Sequence, residues 1–453
     1  MEDPAGDPNR EASTSQAGAG GGGAGRLLVL SVIVGVIAAA AAALFTEFVH
    51  VAENWFYDDL PAALGFDVAP WWLASIVLAA GATVVALARR LPGATGQGPL
   101  TGFHFDDPLR IVPSVLLAAV GSLCFGFVLG PEAPLIVLGT TIGLLLTRGA
   151  DVKVQQAAMV LGGVAAIGSI FGNPFISGFL MLEFAAFGLI PVVLIPGVLT
   201  ALAAGYLTQA GIGNLPGFGV HQLAVPGVPA YDTILPIDLA VAIVVSVLVA
   251  VIIVIVRESA VTLARRAQRR PVRILYAATA VTIVMLLIAE VGFGIDPSMV
   301  LFSGQTAMGD LVAETSIGLV VVIIVTKSVA YAAALGGGFR GGPIFPATYL
   351  GVGFGVLVAL TVPSISVSPL AAAGIAAAAA AMIKAPGTSA LLGALLIGGS
   401  GAVIAPFAIF GAIIGLVVRI AADRRLGVKS VQATTPTEPQ GALSAPPEAT
   451  AAP

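Results

Sequence analysis

The chain has little charge and few of the residues that carry enzyme chemistry. Only 10% of its 453 residues are charged, and it has one cysteine and three histidines, whereas ordinary soluble domains are about 25% charged. The lone Cys124 excludes an internal disulfide, and His50, His104 and His221 do not have the spacing of a metal site. Since no nucleophile and base are paired and no metal or cofactor is expected, an enzyme is not predicted. The formal net charge of −4 gives no indication of nucleic-acid binding.

The chain instead contains many long apolar segments. Hydrophobic residues make up 58% of it, and the mean hydropathy is +1.02. Several uncharged runs exceed the roughly 20 residues that a helix needs to span a bilayer; the runs are 27–46, 68–88, 111–131, 154–182, 184–231, 239–256, 341–383 and 385–418. Strands of a membrane barrel would alternate polar and apolar residues, but these runs are apolar throughout. An all-α, multi-pass integral membrane protein is predicted.

The polar residues predict the ends and the orientation. Residues 1–25 and 426–453 are expected to be disordered tails because of their composition. Lys and Arg follow the second span, fill 257–273 and follow the last span, and such basic loops face the cytoplasm. Both termini are therefore expected on the cytoplasmic side of the plasma membrane. The basic stretch 257–273 is expected to be a loop within the second of two membrane repeats, 26–230 and 231–425.

Each repeat contains segments in which glycine and proline interrupt the apolar run. The first has GPEAPLIVLG and FGNPFISG, and the second has GFRGGPIFPATYLG. Paired interruptions of this kind are typical of transport sites made by broken helices in inverted repeats. Proline is favoured in the first helical turn, so helices are predicted to start at Pro131, Pro174 and Pro343 inside the membrane. Converging helix starts would bind a small inorganic anion with their free N–H groups.

Glu132 is the one charged residue between Arg110 and Arg148. A charge at mid-membrane costs at least ~2.5–3.5 kcal/mol, although a helix start returns ~0.3–2 kcal/mol of that cost. The carboxylate is therefore expected to occupy the anion's own seat and to leave it when protonated, which makes it a pH-dependent gate. A neutral, hydrogen-bonded packing role is the alternative.

These segments, in this order, resemble those of the CLC chloride channel and transporter family, and GPE-x-P with GFRGG-x-IFPA is similar to the YfeO-like ion-transport branch. The resemblance covers about 26–425. It implies a bundle of many tilted and broken transmembrane helices in inverted repeats, a homodimer with a pore in each subunit, and Glu132 as the gating and proton residue. It also implies anion contacts at five residues matched to the family's pore segments: Gly130, Pro131, Gly342, Ile344 and Phe345.

Other matches are incomplete. Gln97 stands where the family has a pore serine, and its amide could still donate to an anion. Pro343 lacks an N–H, so that anion contact is lost or shifted to Ile344 and Phe345. Glu183 falls one residue before the family's internal proton glutamate, where Phe184 stands. The inner-gate tyrosine position falls on Ser400 or Gly401.

Three cations border or enter the apolar runs. Arg340 and Lys384 are expected either to raise the positive potential that draws anions or to snorkel to the interface. Lys327 lies deeper and is expected to pair with Glu183 or another acid.

Two functions stay open. The first is anion transport, as a voltage-gated chloride channel or a proton-linked antiporter of the CLC type gated by Glu132. The alternative is a cation or proton carrier that uses Glu132 and Glu183 as ligands.

Overall fold

The computed structural model describes residues 8–93, 98–100, 105, 109–216, 219, 224–398 and 401–426, with side chains from residue 23 onward except residue 401. Within these residues the chain forms seventeen α-helices and no β-strand. Eight helical segments of the described chain are long and apolar enough to cross a membrane. The predicted all-α membrane fold is confirmed.

The helices fall into two sets of similar length along the chain. The first set is α1 Pro8–Asn54, α2 Leu60–Ala63, α3 Trp71–Ala88, α4 Val112–Leu123, α5 Glu132–Leu146, α6 Val152–Gly168, α7 Pro174–Ala186 and α8 Ile195–Ile212. The second set is α9 Pro236–Arg269, α10 Pro271–Phe293, α11 Pro297–Val300, α12 Met308–Ala313, α13 Ile317–Gly337, α14 Ile344–Thr361, α15 Val367–Ile383, α16 Pro386–Leu396 and α17 Ala405–Arg425.

Two expected boundaries differ from the structure. The stretch 257–273 is not a loop, because α9 continues to Arg269 and α10 begins at Pro271. Its Ala, Arg, Gln and Leu residues are good helix formers, arginines suit the last turn of a helix, and proline suits the first. At the other end, α1 begins at Pro8, within the expected tail 1–25, since each residue added to an existing helix gains a backbone hydrogen bond.

The two sets of helices run in opposite directions. Trp71 N donates to Glu290 Oε1 at 2.8 Å, and the Thr83 and Tyr276 hydroxyl oxygens are 3.1 Å apart, so α3 and α10 are antiparallel. α3 runs opposite to α1, and α10 runs opposite to α9. Because α3 and α10 are antiparallel, α1 and α9 are antiparallel too. One side of the bundle, the arginine side, holds the ends of α3 and α9. The opposite side, the acidic side, holds Asp58 and Asp296.

The same helix pairing occurs in both sets. A Cβ added to Gly139 of α5 would lie 2.1 Å from Gly162 O of α6, and one added to Gly374 of α15 would lie 2.2 Å from Gly351 O of α14. Backbones this close require glycine at the crossing, which is how membrane helices commonly pack. The pairs α5–α6 and α14–α15 are thus held rigidly, and the starts of α5 and α14 are positioned by them.

Candidate ion-binding site

Glu132 lies where the two sets of helices meet. It is the first residue of α5, after Pro131 at the N-cap, and its side chain is fully buried. Its Oε1 accepts hydrogen bonds from Ile344 N and Phe345 N, each at 3.0 Å. These are the first two residues of α14. The carboxylate therefore caps the opposite helix.

Two glycines make the room for this carboxylate. Gly130 N donates to Gly342 O at 2.8 Å, and Gly342 N donates to Gly130 O at 2.5 Å, which joins the loops before α5 and α14. A Cβ on Gly130 would lie 2.0 Å from Glu132 Oε2, and one on Gly342 would lie 1.8 Å from it. Both distances are far below van der Waals contact, so any larger residue would displace the carboxylate.

The second carboxylate oxygen is held less well. Glu132 Oε2 is buried and has no hydrogen-bond partner in the described part of the chain. An unsatisfied buried polar atom costs about 1–3 kcal/mol, and more when it carries charge. Two N–H groups at a helix start, with the helix dipole behind them, suit any small anion. This position, the seat, can therefore hold one negatively charged atom, and Glu132 Oε1 occupies it in the structure.

The walls of the seat come from aromatic residues on neighbouring elements. The buried Tyr331 of α13 donates its hydroxyl to Pro343 O, directly before the two amides that hold Glu132. The rings of Phe171 and Phe345 are 6.0 Å apart, which brings the loop before α7 against the start of α14. Tyr331 was not singled out from the sequence. Its signal was a hydroxyl inside an otherwise apolar run, four residues after Lys327.

The predicted helix starts do not all converge. α7 begins at Pro174 as predicted, but its first free amide, Phe175 N, is capped by Asn173 Oδ1 at 2.9 Å. Phe175 is 75% exposed. Asn173 satisfies the first amide of this helix and the Phe175 side chain points outward, so in the bonds described α7 supplies no donor to Glu132. The seat is made by α5 and α14.

Glu183 caps a different helix. Its Oε1 accepts from Gly387 N at 2.7 Å and its Oε2 from Thr388 N at 2.9 Å, at the start of α16, and the Thr388 hydroxyl donates to Oε2 as well. Both oxygens are satisfied in this position. Glu183 lies at the far end of α7 from the Phe171 loop and is not bonded to Lys327.

Arg340 and Lys384 are held by local partners. The Arg340 guanidinium donates to Phe339 O at 3.0 Å and Gly338 O at 3.4 Å, and its backbone N donates to Ser122 Oγ at 2.9 Å. Lys384 ends α15 in the left-handed conformation, with φ of 58°, and its ammonium pairs with Asp423 of α17. Neither contacts Glu132 in the bonds described. Gln97 and Ser400, the other expected pore residues, lie outside the described residues.

The expected partner of Lys327 is wrong. Its ammonium donates to Leu301 O at 2.7 Å and Met299 O at 3.3 Å, and lies 4.3 Å from the ring centroid of Tyr349. Carbonyls rather than a carboxylate surround it, because the loop after α11 folds over this face of α13. Sequence reasoning missed this, since backbone acceptors leave no signal in residue types.

A buried carboxylate bonded to a helix start inside a bundle of membrane helices is an arrangement typical of ion-transport proteins. Residues 98–419 match the family described as voltage gated chloride channel, which is more than half of the chain. The chain belongs to this family.

Known relatives and structures agree with that assignment. The chain is 26% identical over 326 residues to the "Putative ion-transport protein YfeO" of Escherichia coli O6:H1, covering 70% of this chain and 74% of that protein. A slow cyanobacterial Cl⁻/H⁺ antiporter has a similar fold, with a TM-score of 0.70 and 18% identity over 89% of this chain and 99% of that one. A CLC-type fluoride/proton antiporter gives a TM-score of 0.62 and 17% identity, over 88% and 96%.

Proposed function

We propose that this protein moves a small inorganic anion, chloride or one like it, across the cell membrane, and that Glu132 is its gate. The observation that carries the proposal is the pair of 3.0 Å hydrogen bonds from Ile344 N and Phe345 N to the Glu132 carboxylate. Two amide donors at a helix start can be occupied by the carboxylate or by an anion, but not by both. The two therefore compete for one seat.

The gate works by protonation. An ionised Glu132 has a full negative charge for the N–H groups of α14 and blocks the seat. A protonated Glu132 loses that charge, so the helix dipole holds it less strongly and a mobile anion displaces it. The unpartnered Oε2 favours this exchange, because the carboxylate gives up only one well-bonded oxygen. Anion passage is then linked to proton uptake at Glu132.

Glu183 bears on whether the movement is passive or proton-coupled. Three donors at the start of α16 satisfy both of its oxygens, which suits a structural clamp better than a group that releases protons on each cycle. The proton link in this proposal therefore depends on Glu132. A channel with a protonated gate and a loosely coupled exchanger both satisfy it.

The cation-carrier alternative gains no support from the geometry. A cation site would turn the two carboxylates toward a common point, as ligands. Instead Glu132 and Glu183 each point at the N–H groups of a different helix start, and these groups repel cations. The sign of the reversal potential in a salt gradient decides between the two, because anion and cation selectivity shift it in opposite directions.

The assembly and orientation follow from the family resemblance and the charge pattern. A homodimer with a pore in each subunit, embedded in the bilayer with both termini in the cytoplasm, is part of this proposal. Apolar residues of α7 and the turn before α8 support a partner on that face: Phe175, Val192 and Val193 are 75%, 70% and 74% exposed. If lipid rather than a second subunit covers this face, light scattering in detergent will give the mass of a monomer.

The gate is tested by anion efflux from liposomes at several pH values. Glu132→Gln is expected to conduct without the wild-type pH response, since the amide cannot ionise. Asp67→Asn is the matched control, because it makes the same chemical change at an exposed residue and should leave the response unchanged. A Glu132→Gln protein with the wild-type pH profile would refute the gate. A wild-type protein that moves no anion would refute the function itself.

A further inference from the structure

Lys327 is a buried lysine that the proposed gate does not use. It lies in the middle of α13, and its side chain is fully buried. Leu301 O and Met299 O accept from its ammonium, and the Tyr349 ring lies beneath it. Carbonyls and a ring offer partial negative charge only. A buried ammonium is expected to have a full counter-charge nearby.

Among the described residues, no carboxylate is bonded to the Lys327 ammonium. The ion pairs in the described part of the chain are His50–Glu53, Arg257–Glu258, Lys384–Asp423 and Arg419–Asp423. Lys327 belongs to none of them. At the same time, Glu132 Oε2 is a buried carboxylate oxygen without a partner. The core thus contains a lysine and a glutamate, Lys327 and Glu132, neither of which is bonded to a side chain of opposite charge in the described part of the chain.

The helix geometry places these two charges near each other. One turn further along α13 from Lys327, the Tyr331 hydroxyl donates to Pro343 O, next to the amides that hold Glu132. Tyr349, under the ammonium, follows Phe345 by four residues on α14, a rise of about 6 Å. The Lys327 ammonium therefore lies on the order of 10 Å from the seat. The Lys327 ammonium lies between the seat and the acidic side. This follows because α13 starts on the acidic side and Lys327 precedes Tyr331, while α14 runs from the seat back toward the acidic side.

We propose that Lys327 is the fixed countercharge of the anion seat, and that it sets how strongly the seat binds a mobile anion. With Glu132 in the seat, its charge and that of Lys327 balance. When protonated Glu132 leaves, Lys327 stays uncompensated, and the next anion to enter restores the balance. The helix start supplies the direct hydrogen bonds, and Lys327 supplies the full charge that two neutral amides lack. This proposal rests on the proposed function of the seat.

The first test removes the charge and keeps the hydrogen bonds. Lys327→Gln retains N–H donors for the Met299 and Leu301 carbonyls but is neutral. We expect the chloride concentration for half-maximal efflux from liposomes to rise about 10-fold, as expected for a unit charge at this distance in a protein interior. Lys327→Arg keeps the charge and should stay within about 3-fold of wild type. Equal losses in both variants, or no loss in Lys327→Gln, would overturn the proposal.

A second pair of variants tests the charge without changing Lys327. Met299 lies beside the ammonium, since its own carbonyl accepts from Nζ and its sulfur is 3.6 Å from the Tyr349 hydroxyl. Met299→Glu would give Lys327 a permanent counter-charge, whereas Met299→Gln has the same shape without the charge. Weaker chloride affinity in the glutamate variant alone supports the proposal, and equal affinity contradicts it. Wild-type efflux of chloride in the same assay shows that the transport function stands independently.

Discussion

Glu132 and Glu183 make the same kind of contact with different completeness. Each carboxylate comes from the first set of helices and caps the start of a helix in the second, α14 and α16 respectively. Glu132 is fully buried between glycines and uses one oxygen. Glu183 is half-buried and uses both, with a hydroxyl donor in addition. The difference supports the proposal that Glu132 can be exchanged for an anion whereas Glu183 holds two helices together.

The largest effect is expected at the glycines that surround the Glu132 carboxylate. Gly342→Ala puts a methyl group 1.8 Å from Glu132 Oε2 and 2.7 Å from Glu132 Cβ, so the whole Glu132 side chain must move and we expect destabilisation of about 3 kcal/mol. Gly292→Ala is the control, since nothing lies within 4 Å of its added Cβ, and it should be neutral or stabilising by up to ~1 kcal/mol. Unfolding midpoints in detergent measure both. Similar midpoints for the two variants would show that the carboxylate leaves the seat at little cost.

The proposed role of Glu183 in holding α7 to α16 is tested by removing its carboxylate. Glu183→Ala leaves the Gly387 and Thr388 donors without their charged acceptor, which should cost about 1.5–3 kcal/mol. The pH response of anion efflux should stay, because it belongs to Glu132. In Glu132→Gln the same measurements should show the opposite: the pH response of efflux is lost, and the free energy of unfolding changes less than in Glu183→Ala. Loss of the pH response in Glu183→Ala would mean that this residue also carries protons.

A smaller effect is expected at the wall of the seat. Tyr331→Phe removes the hydroxyl that donates to Pro343 O and leaves that buried carbonyl without this donor, at a cost of about 1 kcal/mol. We expect the half-maximal chloride concentration to change by about 5-fold. Tyr276→Phe, which removes a hydroxyl contact to Thr83 on the exposed surface, should change neither affinity nor stability measurably. Equal behaviour of the two variants would place Tyr331 outside the seat.

The smallest effect is expected at the charged end of α15. The Lys384 side chain is 40% exposed, and its buried partner Asp423 keeps a second bond from Arg419 Nε at 2.9 Å. Lys384→Met should cost no more than about 1 kcal/mol and leave chloride efflux unchanged. Thermal unfolding in detergent at low and high salt measures it, and the salt dependence should shrink in the variant. A large fall in efflux would instead return Lys384 to the anion pathway.

The sequence was sufficient for features that depend on local chemistry. Proline marks three helix starts to within one residue: α7 begins at Pro174, and Pro131 and Pro343 are the N-caps of α5 and α14. Glu132 stands out as an isolated glutamate in an apolar run. The sequence could not predict which helix the carboxylate caps, because Glu132 and Ile344 are 212 positions apart. It also missed the carbonyl partners of Lys327, since any residue type offers a carbonyl.

Charge density misled the prediction at the end of α9. The arginines of 257–273 predict a loop outside the membrane, whereas the helix continues through most of them to Arg269. Membrane depth and helix length are set by different forces. Lipid excludes the arginines from the hydrocarbon layer, but nothing in water prevents good helix formers from continuing the backbone ladder.

The paired amide bonds between Gly130 and Gly342 have a mechanical consequence. Many carriers work by tilting one half of the molecule against the other. Here such a tilt would break the two backbone hydrogen bonds between Gly130 and Gly342, next to the proposed anion site. A rotamer change of the Glu132 side chain breaks neither of these bonds. The two halves can therefore stay fixed relative to each other while only this side chain moves.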